Sequence, residues 1–446
     1  MPCKITMIGG GSSSFVPPLL RRFILSEVVG DAQLTLMDVD ADRLRTMEVL
    51  AAKLVEAEDS PLRVEATQDR REALRDADFV IAAISVGGMA AWAEDIEIPA
   101  SYGVFTHVAD SVGPGGVFRT LRNAPVLAAV AREAAEVAPQ ARIFNYTNPA
   151  PVQALAMLTV PGARVASLCS CTQHAVNREW LAGRIGVDPE LVELPVVVAG
   201  INHCASVQAV RLRDGRDGIE LARAAGGRDE VERFCLENFG VLPYCSGHWV
   251  EFFPQLLRLE QPYEGRAQGL PMRYGFRIHD MDDERARVAE LEQLAAEWTR
   301  PGAGRIALAD LPIGYEEEGI EVVEIIESIV ANRNRTHVVN VENRGAIENL
   351  PDEAVVELQA QVNAHGIEPL HVGRLQETLA AHLRRYYDVQ RAMVKAALSG
   401  SRTDLLAALL LDPMTAAALD LGQTEAMMDE MLAAQAAHLP QFAGAE

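Results

Sequence analysis

The chain of 446 residues is longer than one hydrophobic core usually serves, so length alone argues for two domains. Apolar residues make up 49%, enough for both cores, and a formal charge of −23 argues against nucleic acid and anionic membrane surfaces as partners. There is no long uncharged apolar run, Met1-Pro2-Cys3-Lys4 leads straight into a strand, and six sparse cysteines suggest no disulfide framework; a soluble protein of a reducing cytoplasm is expected.

Ile5, Met7 and Ile8 read as a short buried strand, followed by Gly9, Gly10 and Gly11 in a sharp turn. Ser12 to Ser14 can cap a helix whose first turn tolerates Pro17 and Pro18. Such a turn points backbone N–H groups and a helix start at one place, which suits a pyrophosphate. The dinucleotide pattern Gly-x-Gly-x-x-Gly is met at Gly9 and Gly11, with Ser14 in its third position. A helix over 19–28 and a strand over 33–37 follow, the strand ending at Asp38. A carboxylate there receives an NAD ribose and repels the extra phosphate of NADP, so dinucleotide binding is favoured over a plain tight turn with a surface Asp.

A helix over 40–58 and strands over 64–67 and 79–84 come next, the last ending at Ser85-Val86-Gly87-Gly88. Residues 89–116 read as a long loop, a lid or binding segment, closing with Gly113-Pro114-Gly115-Gly116 before a helix over 117–137. Strands over 142–144, 165–168 and 196–199 carry Asn148, Cys169 and His203 in the loops after their tips, and Pro149 starts a helix. Alternating strands and helices predict an α/β fold: a Rossmann-type, doubly wound parallel sheet over 1–199. Residues 200–446 read as a mixed, mainly helical α+β second domain. Its helices fall at 219–238, 249–259 and 282–298, with a β segment at 337–341 turning at Asn343-Arg344-Gly345 and a helical tail over 375–436 broken at Gly400 and Pro413.

Parallel strands point the same way, so the loops at Gly9, Asn148, Cys169 and His203 should meet over one crevice. A thiolate and an imidazole suit a divalent metal, although a small buried Cys and a core His bonded to a carbonyl would read the same way.

The runs Thr6 to Ser12, Glu97-Ile98-Pro99, Tyr102-Gly103, Asp110 to Gly116, Arg119 to Arg122, Asn145 to Ala150, Leu168-Cys169 and Gly200-Ile201-Asn202-His203 together resemble glycoside hydrolase family 4. So do Ser246-Gly247-His248 with Glu251, Asn349-Leu350-Pro351, Gly366-Ile367 and Leu411-Asp412-Pro413, in order along nearly the whole chain. The resemblance implies a lactate-dehydrogenase-like Rossmann domain, NAD, a divalent metal (manganese as the usual one), a small glycoside substrate, and a homodimer or homotetramer. It implies oxidation at C3, loss of the C2 proton, elimination at C1, addition of water and return of the hydride. Cys169 and His203 become the metal ligands; Gly9, Gly10, Gly11, Ser12, Asp38 and Asn148 contact NAD; Asn148 and Asp110 meet the substrate.

Three positions depart from the pattern. Phe252 stands where relatives carry a tyrosine resembling the C2 base, which leaves Tyr244 or His248 for that role. Ser170 follows the metal cysteine where relatives have Asp, Asn or His, so Ser170 or His174 is left as the acid for the leaving group, with Cys171 opening the register. Trp92 replaces a common arginine and reads equally as a sugar platform or a packed core side chain. The motifs look most like the branch acting on unphosphorylated α-galactosides, α-glucosides and α-glycuronides. The alternatives are an NAD-dependent 2-hydroxy acid or polyol dehydrogenase, and a catalytically impaired NAD-binding sensor.

Overall fold

The computed structural model describes residues 2–312 and 320–443. Strands β1 (Lys4–Ile8), β2 (Gln33–Met37), β3 (Arg63–Thr67), β4 (Phe79–Ala82), β5 (Arg142–Asn145) and β6 (Arg164–Ser167) lie in the order β3-β2-β1-β4-β5-β6, every pair parallel. This is the dinucleotide-fold order, with the chain reversing its direction of travel between β1 and β4. The central strands are apolar almost throughout, because helices cover both faces: Ile5, Met7, Val80 and Ile81 are all buried.

The sheet does not stop at β6. Strands β7 (Val197–Gly200), β8 (Ser206–Ala209), β9 (Leu242–Pro243), β10 (Arg335–Glu342), β11 (Val355–Asn363) and β12 (Gly366–Pro369) extend it through β6-β10-β11-β7-β8-β9, all antiparallel, with β12 on β11. The strand expected over 196–199 therefore exists but is not part of the parallel set. It is reached through the long β10–β11 hairpin, and its tip meets the tip of β6 by another route. Ser167 pairs with Asn340, Asn340 with Glu357, and Glu357 with Gly200, a single row across the sheet. Strands β6 and β7 enter that row from opposite ends, so both of their carboxyl termini finish there.

The segment expected as a loop over 89–116 is a helix, Gly88–Ser101, followed by an irregular stretch and the helix Gly113–Val137. Glycines bound the segment at both ends and read as loop signals, but Ala91, Ile96 and Ala100 are buried and hold one face down. The helix predicted over 219–238 is two, Gly218–Ala225 and Glu230–Asn238, parted by Gly226 and Gly227 at φ +83° and +70°. Residues 249–259 form only short helical turns, Ser246–Trp249, Val250–Phe252 and Pro254–Leu256, because Pro254 cannot continue a helix. The tail divides into Glu377–Ser399, Arg402–Leu411, Pro413–Ala418 and Leu421–Ala434, with the expected breaks at Gly400 and Pro413 and one more before Leu421.

One hydrophobic cluster runs from Ile5 through Ile201 and Phe252 to Leu439, on either side of residue 199. Among the described residues no helix is long and apolar enough to cross a membrane.

Candidate active site

The glycine turn follows from β1 running straight into the helix Val16–Leu25. Gly9 has φ +97°, and a Cβ there would lie 2.1 Å from the Ala83 carbonyl oxygen, so no other residue fits. The N–H groups of Gly9 and Gly10 both donate to the Met37 carbonyl, at 3.0 and 2.8 Å. Asp38 reaches across from the tip of β2: its Oδ2 accepts the Gly11 N–H at 2.9 Å and its Oδ1 the Asp40 N–H at 3.0 Å. Ser12 caps locally, its Oγ accepting the Phe15 N–H at 3.1 Å. A carboxylate at the β2 tip beside a glycine turn suits NAD on the chemistry of its donors and acceptors.

Beyond β6 and β7 the side chains converge. Cys169 Sγ lies 3.5 Å from His203 Nε2. On the far side of the ring, Ser111 Oγ sits 2.7 Å from His203 Nδ1, and the same hydroxyl donates to Asp110 Oδ1 at 2.7 Å. A hydroxyl has one proton, and Ser111 gives it to Asp110, so His203 Nδ1 must be the donor to Ser111. That fixes the tautomer and leaves the Nε2 lone pair facing the sulfur of Cys169. A metal-binding imidazole needs this arrangement. Asn148 Nδ2 donates to Asp110 Oδ2 at 2.7 Å, and the His248 ring stacks on His203 with centroids 3.8 Å apart. One nitrogen of His248 and one of His203 group with Asp110 as candidate cation donors, all three within 4.8 Å of one another.

Burial works against the charge on Asp110, but His248, His203 and Arg119 outweigh it and hold the carboxyl below its usual range. The Cys171 contact first, and burial second, push the Cys169 thiol well above its ordinary value. Thiolate ligation here therefore requires a cation that displaces the proton. Ala109 and His203 both have left-handed backbone, φ +63° and +68°, which persists only where the surroundings impose it. Glu251 imposes it on Ala109: one carboxylate oxygen accepts the N–H groups of Val108 and Ala109, at 2.8 and 3.0 Å. Burial, and then the charge of Asp110, raise the Glu251 carboxyl to about 7.

Below this layer, Glu357 in the row across the sheet accepts from Asn202 and Asn340, both at 2.7 Å, and from the hydroxyl of Tyr244. Tyr244 is 4% exposed, and burial followed by the Glu357 charge pushes its phenol well above the ordinary range. Its hydroxyl is thus a donor to a buried carboxylate. His174 is exposed, its Nδ1 lying 3.3 Å from the Tyr244 carbonyl and its ring stacked on Trp180; Ser170 is exposed. Trp92 is engaged on its ring and its edge: it stacks on His279 at 4.8 Å, lies under Arg119 at 5.0 Å, and donates Nε1–H to the Val108 carbonyl. Phe252 is buried against Tyr386, so its ring belongs to the core.

Sequence reasoning missed Glu357 and gave Cys245 no role, and it quoted Ser111, Arg119, Glu251 and Asn202 only as parts of motifs. The one signal for Ser111 was its place directly after Asp110. Glu357 sits in the alternating run Val355 to Val362, whose strand character was itself overlooked.

Residues 4–182 match the model of the family 4 glycosyl hydrolases, and residues 198–415 that of their C-terminal domain. The chain is 30% identical over 453 residues to an alpha-galactosidase of Bacillus subtilis, covering 98% of this chain and 99% of that one. The chain belongs to glycosyl hydrolase family 4. Within that family it is also 27% identical over 458 residues to an alpha-galacturonidase of Bacillus subtilis, with 96% of each chain covered. The fold is shared with the 6-phospho-beta glucosidase of Thermotoga maritima, solved with manganese, NAD+ and glucose-6-phosphate. There the TM-score is 0.77 at 21% identity, over 97% of this chain and 98% of the other.

Proposed function

We propose that this family 4 enzyme is an NAD- and divalent-metal-dependent glycosidase of unphosphorylated, α-linked hexosides or hexuronides. The observation that carries the reading is the Cys169 Sγ–His203 Nε2 approach of 3.5 Å, with Ser111 holding the ring in the ligating tautomer. Cys169 and His203 hold the cation, manganese by analogy with the Thermotoga enzyme, with Asp110 beside them. Gly9, Gly10, Gly11, Ser12 and Asp38 hold NAD. The first half of the chain, 1–199, carries the cofactor, and 200–446 contributes His203 and the substrate wall.

NAD held there would supply a reversible hydride acceptor for C3 of the sugar, and a C3 carbonyl would make the neighbouring C2–H acidic enough to remove. When bound, the cation supplies Lewis-acid polarisation of the oxygen at C3. The chain's own residues do the rest. Asn148, held by Asp110, offers its amide to the sugar hydroxyls. His248 is the C2 base: it is half-buried, and its Nε2 faces Asp110 Oδ1 at 3.9 Å. Tyr244 supports the Glu357 network rather than taking the proton. His174 and Ser170 remain the candidates for protonating the leaving group, His174 the better by chemistry.

Arg119 favours hexuronides within this class. Its Nε and one terminal nitrogen are buried with no hydrogen-bond partner among the described residues, and a sugar carboxylate would satisfy them. We also place the enzyme in the cytoplasm as a homodimer or homotetramer, which sedimentation would measure.

The test uses substrate deuterated at C2. Cleavage of an aryl α-galactoside or α-galacturonide with exchange of that label into solvent is expected; cleavage with full retention rules the mechanism out. Cys169→Ala and His203→Ala should lose the cation in elemental analysis and keep NAD. Tyr244→Phe should keep most of its activity. A chain that binds NAD and cleaves no glycoside, phosphorylated or not, would be the sensor instead.

A further inference from the structure

We propose that Cys171, Cys245 and His248 form a second cation site, selective for thiophilic divalent ions such as zinc, whose filling switches the enzyme off. It rests on the reading above only for the role of His248. The sulfurs of Cys171 and Cys245 are 3.0 Å apart, and Cys245 Sγ is 3.0 Å from His248 Nδ1. All three donor atoms lie within 4.8 Å of one another. Tetrahedral bonds of about 2.3 Å to each sulfur and about 2.0 Å to nitrogen need donors roughly 3.5–3.8 Å apart, so an ion enters once these side chains spread by under about 1 Å, with Cys169 on the other side of Cys171. The donors come from two separate places, the loop after β6 and the turn after β9, so the fold has brought them together. Nothing in the proposed reaction uses either thiol.

Two thiolates and an imidazole are a soft set, which selects zinc over manganese; the neighbouring Asp110 and His203 offer oxygen and nitrogen instead. His248 belongs to both groups, showing Nδ1 to the sulfurs and Nε2 to Asp110. An ion bonded to Nδ1 ties the ring to the two sulfurs, so Nε2 is held where it faces Asp110 and can no longer turn to the C2 proton. Ligation releases the two thiol protons to solvent and transfers no electrons.

Reduced enzyme loaded with manganese and NAD, titrated with zinc chloride and freed of loose ions, gives the test by elemental analysis. About one added zinc without release of manganese, with activity falling in step, is expected. The double variant Cys171→Ser/Cys245→Ser should bind NAD as before, take up no added zinc and stay active in its presence. Cobalt(II) should give a near-ultraviolet sulfur-to-metal charge-transfer band that persists in the Cys169→Ala protein and is much reduced in the double variant. Zinc replacing manganese one for one, zinc uptake unchanged in the double variant, or zinc bound with activity intact would each overturn the proposal. Added zinc lost in the double variant, on a protein that cleaves no glycoside, would keep the cation site, end its role as a switch and end the proposed function.

Discussion

Ser111 shows how much one hydroxyl can determine. Its proton goes to Asp110, and that choice makes His203 a donor on Nδ1 and turns the Nε2 lone pair toward Cys169. Ser111→Ala removes the constraint while keeping Cys169 and His203. Metal affinity should fall by about 10–100-fold, read by competition with a chelator, while NAD affinity holds. Glu251 acts one step further out, through the backbone of Val108 and Ala109. None of this was visible in the spacing of the chain. The resemblance named Cys169 and His203, and the structure brings them together, but a serine's one proton counts only once its two neighbours are known.

At the scale of elements, the β10–β11 hairpin decides where the site is. The first six strands were legible to within about two residues, because buried parallel strands read as short apolar runs between turn signals. Strand β11 was not. Its alternation includes Glu357 and Gln359, polar side chains that look solvent-facing in sequence and are buried in the fold. On the neighbouring strand β10, His337 donates to Ser328 Oγ at 3.0 Å, and burial lowers its pKa from 6.5 to about 4. Below pH 6.5 the unfolded chain binds a proton that the folded chain refuses, so stability falls as pH drops from 6.5 toward 4. Discounted for its partial exposure, the effect should be on the order of 1–2 kcal/mol at pH 5. Urea midpoints of wild type and His337→Gln should converge on going from pH 7.5 to pH 5, the variant losing less.

Across the whole molecule, the buried pair Arg122–Asp95 ties distant parts of the chain together. Arg122 donates to both carboxylate oxygens of Asp95, at 2.9 and 2.6 Å, and its Nε–H goes to the Val86 carbonyl. Gln435, near the end of the chain, donates to the same carboxylate at 2.9 Å. The pair is 1% and 0% exposed, so removing one partner strands a charge in the core. Asp95→Ala should cost about 3–5 kcal/mol in chemical denaturation, whereas an exposed pair such as Arg71–Glu136 should cost under about 1 kcal/mol.

The order of glycines, apolar runs and polar tips along the chain was enough for the parallel half of the sheet, the dinucleotide turn and the family, because each rests on local backbone chemistry or on motifs met in sequence. Folding alone revealed that β7 runs antiparallel, that residues 88–101 coil into a helix, that Tyr244 gives its hydroxyl to Glu357, and that Cys171 lies against Cys245. Those outcomes depend on which distant residues share a buried row or a loop junction, and partners of that kind leave no period or spacing in the chain.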